Sequence, residues 1–470
     1  MLFNSAIFLI LFFFVYVIYW PLPTRGKQYL IIITSLLFYA WYSIPLLLLF
    51  LFLIVVNYAV SQHLLTNKNR LLLGLTVALD LSVLGFYKYF YLFAESFGWL
   101  LGDPYIADLR ANWMEDYGFQ IVLPIAISFY TFQIIAFVVD CYRGTVSGPV
   151  EPRKFVLFIL FFPQFVAGPI MRADDFIGQI DRPTPSKDRI VNGSLYILMG
   201  VVKKVLIADH IGAASDVIWA DPARYDAVYL FLILPSFVVR IYCDFSGYTD
   251  MARGLAKLLG YEIPENFKGP FLAKSMAELW TRWHITLSTW LRDYIYIPLG
   301  GSRAGEWRTN INVMITMGLG GLWHGANWTM LCWGLFVGIF LVIERFFRNQ
   351  NIRLLPRGRF GDVFRVAYAF GGFALSSAFF KAPDISASFE IFYGLFTMQR
   401  GDKITNPDAL VVLTIVGFMF NFVQYYDRPR QWLNERPDLR KYLLFFGTFF
   451  VGYLVYLYGD VSGSFIYFAF

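Results

Sequence analysis

The sequence predicts an all-α polytopic membrane protein, and three observations carry that prediction. Apolar runs of membrane-crossing length recur along the whole chain. Of its 470 residues 58% are hydrophobic and only 15% charged, at a mean hydropathy of +0.55, and the basic residues gather in short connections between the runs. Soluble domains carry about a quarter charged residues, so this composition calls for lipid as solvent. Aromatic residues make up 20% of the chain, more than two interfacial belts require, so rings must also line the interior. The formal charge of +6 follows from cytoplasmic loop bias rather than from nucleic-acid binding. Cys141, Cys243 and Cys332 are far apart, fit no metal or redox spacing and are assigned no disulfide.

Crossing about 30 Å of hydrocarbon takes roughly twenty helical residues, and roughly eleven or twelve runs are candidates. They start near Phe3, Gln28, Pro45, Leu71, Gln120, Ser194, Val228, Asn310, Asn327, Val363, Leu410 and Tyr442, the Gln28 and Asn310 runs being short. The first has no basic stretch before it and Pro21 and Pro23 after it, so it reads as a retained helix rather than a signal peptide. Residues 155–172 contain Gly168-Pro169 and suit a re-entrant hairpin, in which protein satisfies the backbone groups that the break frees. Residues 277–297 carry Glu278, Arg282, His284, Arg292 and Asp293 among Trp280, Trp283, Trp290, Tyr294 and Tyr296. Too charged to span, this stretch reads as an amphipathic helix lying in the interface. If every candidate crosses, the basic clusters at 25–27, 68–70, 143–154, 345–359 and 428–441 all fall in the cytoplasm. Both termini are then outside. With no internal repeat and no long linker, residues 1–470 read as one membrane domain ending in an aromatic tail, 464–470.

Among His63, His210, His284 and His324 no pair has metal-ligand spacing, so no metal site is expected. His324 stands out for its setting, Gly318-Leu319-Gly320-Gly321-Leu322-Trp323-His324-Gly325-Ala326-Asn327-Trp328, a glycine-rich break between two apolar segments. An ionisable group at membrane depth points to function, and an imidazole titrating near 6.5 suits a general base. The alternative is a packing histidine bonded to a carbonyl. On the proposed interfacial helix His284, Ser288 and Arg292 follow i, i+4 spacing, a polar stripe that faces either a cavity or solvent. Asp244 and Asp250 lie six residues apart, on different helix faces, which favours a structural role over paired acid–base work. The tail Ser464-Phe465-Ile466-Tyr467-Phe468-Ala469-Phe470 is too apolar to be left in water. Tyr467 is either an aromatic anchor or a temporary acyl carrier, its phenol ester being far more reactive than an alkyl ester.

Trp323-His324-Gly325-Ala326-Asn327-Trp328, Arg292-Asp293-Tyr294-Ile295-Tyr296-Ile297-Pro298-Leu299-Gly300-Gly301 and Asp244-Phe245-Ser246-Gly247-Tyr248 resemble the membrane-bound O-acyltransferase (MBOAT) family, bacterial alginate and peptidoglycan O-acetyltransferase branch. The resemblance implies a ring of roughly eleven or more tilted helices with re-entrant and interfacial pieces around a central tunnel at His324. It implies that His324 is the family's essential histidine, that His284 matches its second, more variable polar position, and that Tyr467 holds the acyl group. It also implies a place in the bacterial inner membrane, acetyl-CoA as donor, no tightly bound cofactor, and an extracytoplasmic SGNH-type partner that passes acetyl to a polysaccharide. On this reading Lys203, Lys204, Arg282, Arg292, Arg303 and Arg308 supply the cations for donor phosphates, and N–H groups of Asn327 or Trp328 steady the oxyanion. The rival readings are a polysaccharide-precursor flippase and an acyltransferase acting on a lipid or protein.

Overall fold

The computed structural model describes residues 3, 5–165, 168–303, 305–352, 358–459 and 463. Among the described residues the secondary structure is helical, apart from one isolated bridge between Tyr225 and Asp402. The chain forms two compact units, Ser5–Thr184 and the part from Pro185 onward, which also takes in Phe3.

The first unit holds α1 (Ala6–Tyr19), α2 (Thr24–Ala40), α3 (Ile44–Thr66), α4 (Arg70–Leu101), α5 (Ile127–Arg143) and α6 (Pro152–Leu160). Serines start two of them: Ser5 accepts from Phe8 N at 3.3 Å and Ser43 from Leu46 N at 3.4 Å, each answering an N–H that the first turn leaves open. α5 is buried almost throughout, which lets it carry Gln133. The Gln133 amide donates to Phe158 O at 2.8 Å, and that of Gln164 donates to Gln133 at 3.2 Å and to Pro169 O at 2.8 Å. These bonds hold the break after Leu160, where α6 gives way to the short turn Phe162–Phe165. Protein amides here replace the water that a broken helix would otherwise need.

The second unit holds α7 (Lys187–Ala220), α8 (Ala227–Leu258), α9 (Met276–Arg282), α10 (Ile285–Leu291), α11 (Glu306–His324), α12 (Trp328–Asn349), α13 (Arg359–Lys381), α14 (Pro407–Tyr425) and α15 (Pro437–Tyr458). α7 contains a wide π segment, Val202–Ala208.

Every predicted apolar run is a helix, though the helices differ in length. Among the described residues eight helices are long and apolar enough to span: α3, α4, α7, α8, α12, α13, α14 and α15. Of the other candidates, α1, α2 and α5 have only 14, 17 and 17 residues. α11 has 19 residues but opens on Glu306, Arg308, Thr309 and Asn310.

The α11–α12 hairpin is close-packed because glycines face each other across it. A Cβ on Gly321 would sit 2.2 Å from Met330 O, and one on Gly334 would sit 2.2 Å from Met317 O. Small residues let helix backbones touch where lipid gives apolar side chains no advantage in associating. Gly334→Ala is therefore expected to force the hairpin apart, costing about 1–3 kcal/mol, and to lower the melting temperature of the detergent-purified protein. An unchanged melting temperature would contradict the contact.

Candidate active site

His324 is the last residue of α11, and the chain turns at once into α12. The turn is made by extended Gly325 and by Asn327, whose side chain caps α12 by accepting from Thr329 N at 3.1 Å. The imidazole is buried, 4% exposed, inside a box of rings. Trp333 stands perpendicular to it at 5.0 Å, Phe380 lies at 5.3 Å and Trp323 at 5.1 Å. Trp333 is fixed in turn by its Nε1–H, which donates to Ser376 on α13 at 3.1 Å.

The continuous interfacial helix expected over 277–297 does not form. α9 stops at Arg282, α10 starts at Ile285, and between them His284 adopts the left-handed region, φ 41° and ψ 54°. A bulky residue pays strain there unless its surroundings hold it. Asn266 does so from a distant loop: its carbonyl accepts from Ile285 N at 3.0 Å, and its side chain accepts from Thr286 N at 3.2 Å and Thr286 Oγ1 at 2.7 Å. The break takes His284 off the Ser288–Arg292 stripe and turns it inward, 0% exposed, with Phe245 edge-on at 4.7 Å. Its ring centroid then lies 6.4 Å from that of His324. Two histidines forty positions apart in sequence thus share one site.

Burial, reinforced by His324 nearby, pushes the His284 imidazole well below its ordinary range, so it is neutral at physiological pH. In the unfolded chain it titrates near about 6.5. Below that pH the unfolded state takes up a proton that the folded state refuses, so stability present at neutral pH is lost progressively down to the folded value. His284→Asn keeps a side chain that tolerates the left-handed region. It is expected to flatten the fall in melting temperature as the pH drops below about 6.5; an identical fall in both proteins would remove His284 as its cause.

Two cavities reach His324. The larger, about 200 Å³, runs back along α11 past Thr316 and Gly320 and is also lined by Ser288, Arg292 and Tyr296. The smaller, about 10 Å³, lies toward the end of α13 among Phe237, Ile241, Ser376, Ser377 and Phe380. His324 and Trp333 line both. The imidazole therefore stands at the junction of a roomy approach and a tight pocket with space for about one water.

The predicted donor-site cations separate into two groups. Arg292 lines the large cavity, with its guanidinium on Asp293 at 2.6 Å. Arg303 and Arg308 are exposed, just before and inside the first turn of α11, and Arg282 pairs with Glu278 at 2.9 Å over the Tyr425 ring. Lys203 and Lys204 do not join them. Both are buried, Lys203 on Asp250 at 2.7 Å and Lys204 on Asp209 and Asp244, each at 2.7 Å. Ammonium groups already answered by carboxylates inside the protein have no charge to spare for phosphate, which corrects their assignment to the donor site.

Asn327, whose side-chain oxygen caps α12, and Trp328 are both exposed, and neither is among the residues that line the two cavities. Tyr467 lies outside the described residues. Among the described residues there is no group of three or more metal-ligating side chains. Trp333, Ser376 and Ser377 were missed by sequence reasoning, although two adjacent hydroxyls deep in an apolar helix were a usable signal.

Fold and site together define a multi-pass helical membrane protein whose reactive group sits inside the protein and is approached by two cavities. Sequence comparison gives that class its family. The MBOAT, membrane-bound O-acyltransferase family, profile matches residues 145–381, which include both histidines. A Pseudomonas aeruginosa protein named "probable alginate O-acetylase" is 35% identical over 454 residues, 92% of this chain and 83% of the relative. The Helicobacter pylori peptidoglycan O-acetyltransferase is 30% identical over 437 residues, 84% of this chain and 80% of the relative. The Bacillus subtilis teichoic acid D-alanyltransferase is 26% identical over 263 residues, 52% of this chain and 65% of the relative. The chain belongs to the membrane-bound O-acyltransferase family and is an O-acyltransferase.

Proposed function

We propose that this protein is a bacterial inner-membrane O-acetyltransferase that carries acetyl groups from cytoplasmic acetyl-CoA toward an extracytoplasmic polysaccharide of the alginate or peptidoglycan kind. The relatives' names support the acetyl group and the polymer class. The observation that carries the mechanism is the sharing of His324 by two cavities of very different size.

Donor phosphates are held first by exposed Arg292, which lines the larger cavity, with half-buried Arg282 and exposed Arg303 and Arg308 nearby in sequence. The pantetheine arm runs along α11 and brings the thioester to His324. His324 takes the proton from an acceptor hydroxyl as that oxygen attacks the acetyl carbonyl. The new C–O ester bond forms, the C–S bond breaks, and the imidazolium returns its proton to the departing thiolate. Neutral His284 packs beside His324 without competing for that proton. The acceptor is Tyr467 of the C-terminal tail, and an SGNH-type partner then moves acetyl from the phenol to the polymer. N- and C-termini outside the cell put that tail on the partner's side. A flippase would be expected to show paired broken helices in two related halves, and the sequence carries no such repeat.

The test is mass spectrometry of the C-terminal peptide after the purified protein meets isotopically labelled acetyl-CoA. Label on the peptide of the wild type, lost in both Tyr467→Phe and His324→Ala, is the expected result. An active wild type with an unlabelled tail would replace the tyrosine relay by direct transfer.

A further inference from the structure

The buried lysines excluded from the donor site need another role. An α-helix turns adjacent residues to different sides, yet Lys203 and Lys204 are 1% and 2% exposed. Both lie in the π segment Val202–Ala208, whose wider turn admits an extra residue and lets both face inward. α8 lies directly against it: a Cβ on Gly247 would meet Lys204 N at 3.2 Å. Lys203 is answered one to one by Asp250, which closes that pair. Lys204 faces two carboxylates, Asp209 and Asp244, so these three groups carry a formal excess of negative charge.

What meets this cluster is the chain's own C-terminal segment. α15 packs on α7, and beyond its end at Tyr458 the backbone of Gly463 reaches the cluster with both of its polar groups. The carbonyl accepts from Lys204 Nζ at 3.3 Å and the N–H donates to the Asp209 carboxylate. A larger residue would push on the cluster: a Cβ on Gly463 would lie 2.7 Å from Asp209 Oδ1, so the carboxylate shared with Lys204 would have to move.

We propose that the Lys204–Asp209–Asp244 cluster is a docking clamp for the C-terminal segment, gripping it at Gly463 and positioning the residues beyond for acyl transfer. The positioning role rests on the acyl-tyrosine reading above; the clamp does not. The clamp and the reactive site share α8: Asp244 faces Lys204, while the next residue, Phe245, stands edge-on to His284 with ring centroids 4.7 Å apart. Tyr467 is four residues past Gly463, at most about 14 Å of extended chain. A fixed origin at Gly463 bounds how far the residues that follow can reach, and so shortens the search for an acyl-transfer partner. Lys204, Asp209 and Asp244 are positioning residues.

The test uses the full-length protein in detergent and the variant Gly463→Ala, which disturbs the grip without removing a charge from the core. Carboxypeptidase digestion of the wild type is expected to halt no further than residue 463, and that of Gly463→Ala to run on to the end of α15. Acetyl transfer is expected to fall on the order of 10–100-fold in kcat, with the KM for acetyl-CoA and the melting temperature unchanged. The same end point of digestion in both proteins overturns the clamp. A changed end point with wild-type kcat overturns the positioning role. If the wild-type tail carries no label while the end point still shifts, the clamp stands and the acyl-tyrosine reading is the part that fails.

Discussion

Replacing His324 by alanine is expected to reduce acetyl transfer by about 10²–10⁴-fold, the usual contribution of a positioned general base. The loss should fall on kcat, because the residues that line the donor approach, Ser288, Arg292 and Tyr296, are untouched. Trp333 keeps its bond to Ser376, so the ring box survives and the protein should purify with its fold intact. His284→Asn should cost much less, since its ring faces Phe245 and Trp323 and lines neither cavity described here. A His324→Ala protein that retained wild-type kcat would leave the imidazole as packing.

The second large effect is on stability. Lys204→Met removes the ammonium that Asp209 and Asp244 share inside the protein, leaving buried carboxylates without their cation. Breaking a buried ion pair from one side costs about 3–5 kcal/mol, comparable with much of a domain's net stability. The variant is therefore expected to be absent from the monodisperse fraction on fluorescence-detected size exclusion. Adding Asp209→Asn and Asp244→Asn removes the orphaned charge and should restore much of the folded yield. Normal accumulation of the single variant would mean that the cluster relaxes without its cation.

Much of this was legible in the chain. The apolar runs marked the helices, and the glycine-rich break at His324 marked the place where a helix ends at an ionisable group. The positions that misled share one cause: a helix whose register is interrupted. His284 was read on a continuous 3.6-residue stripe, but its left-handed φ is imposed by Asn266, from outside that segment. Lys203 and Lys204 were read as cations for donor phosphates, but the π segment turns both inward onto carboxylates. Periodicity reports which face a residue takes within an element. It does not report where another part of the chain will stop that element or widen its turn.

The ring box around His324 also bears on the membrane as an electrical insulator. Trp333 and Phe380 close on the imidazole at 5.0 and 5.3 Å, and the pocket beyond has room for about 10 Å³. A hydrated cation or a file of waters needs several times that volume. On that side the closed rings leave space for about one water beside the imidazole, not for the continuous file of waters along which protons would pass.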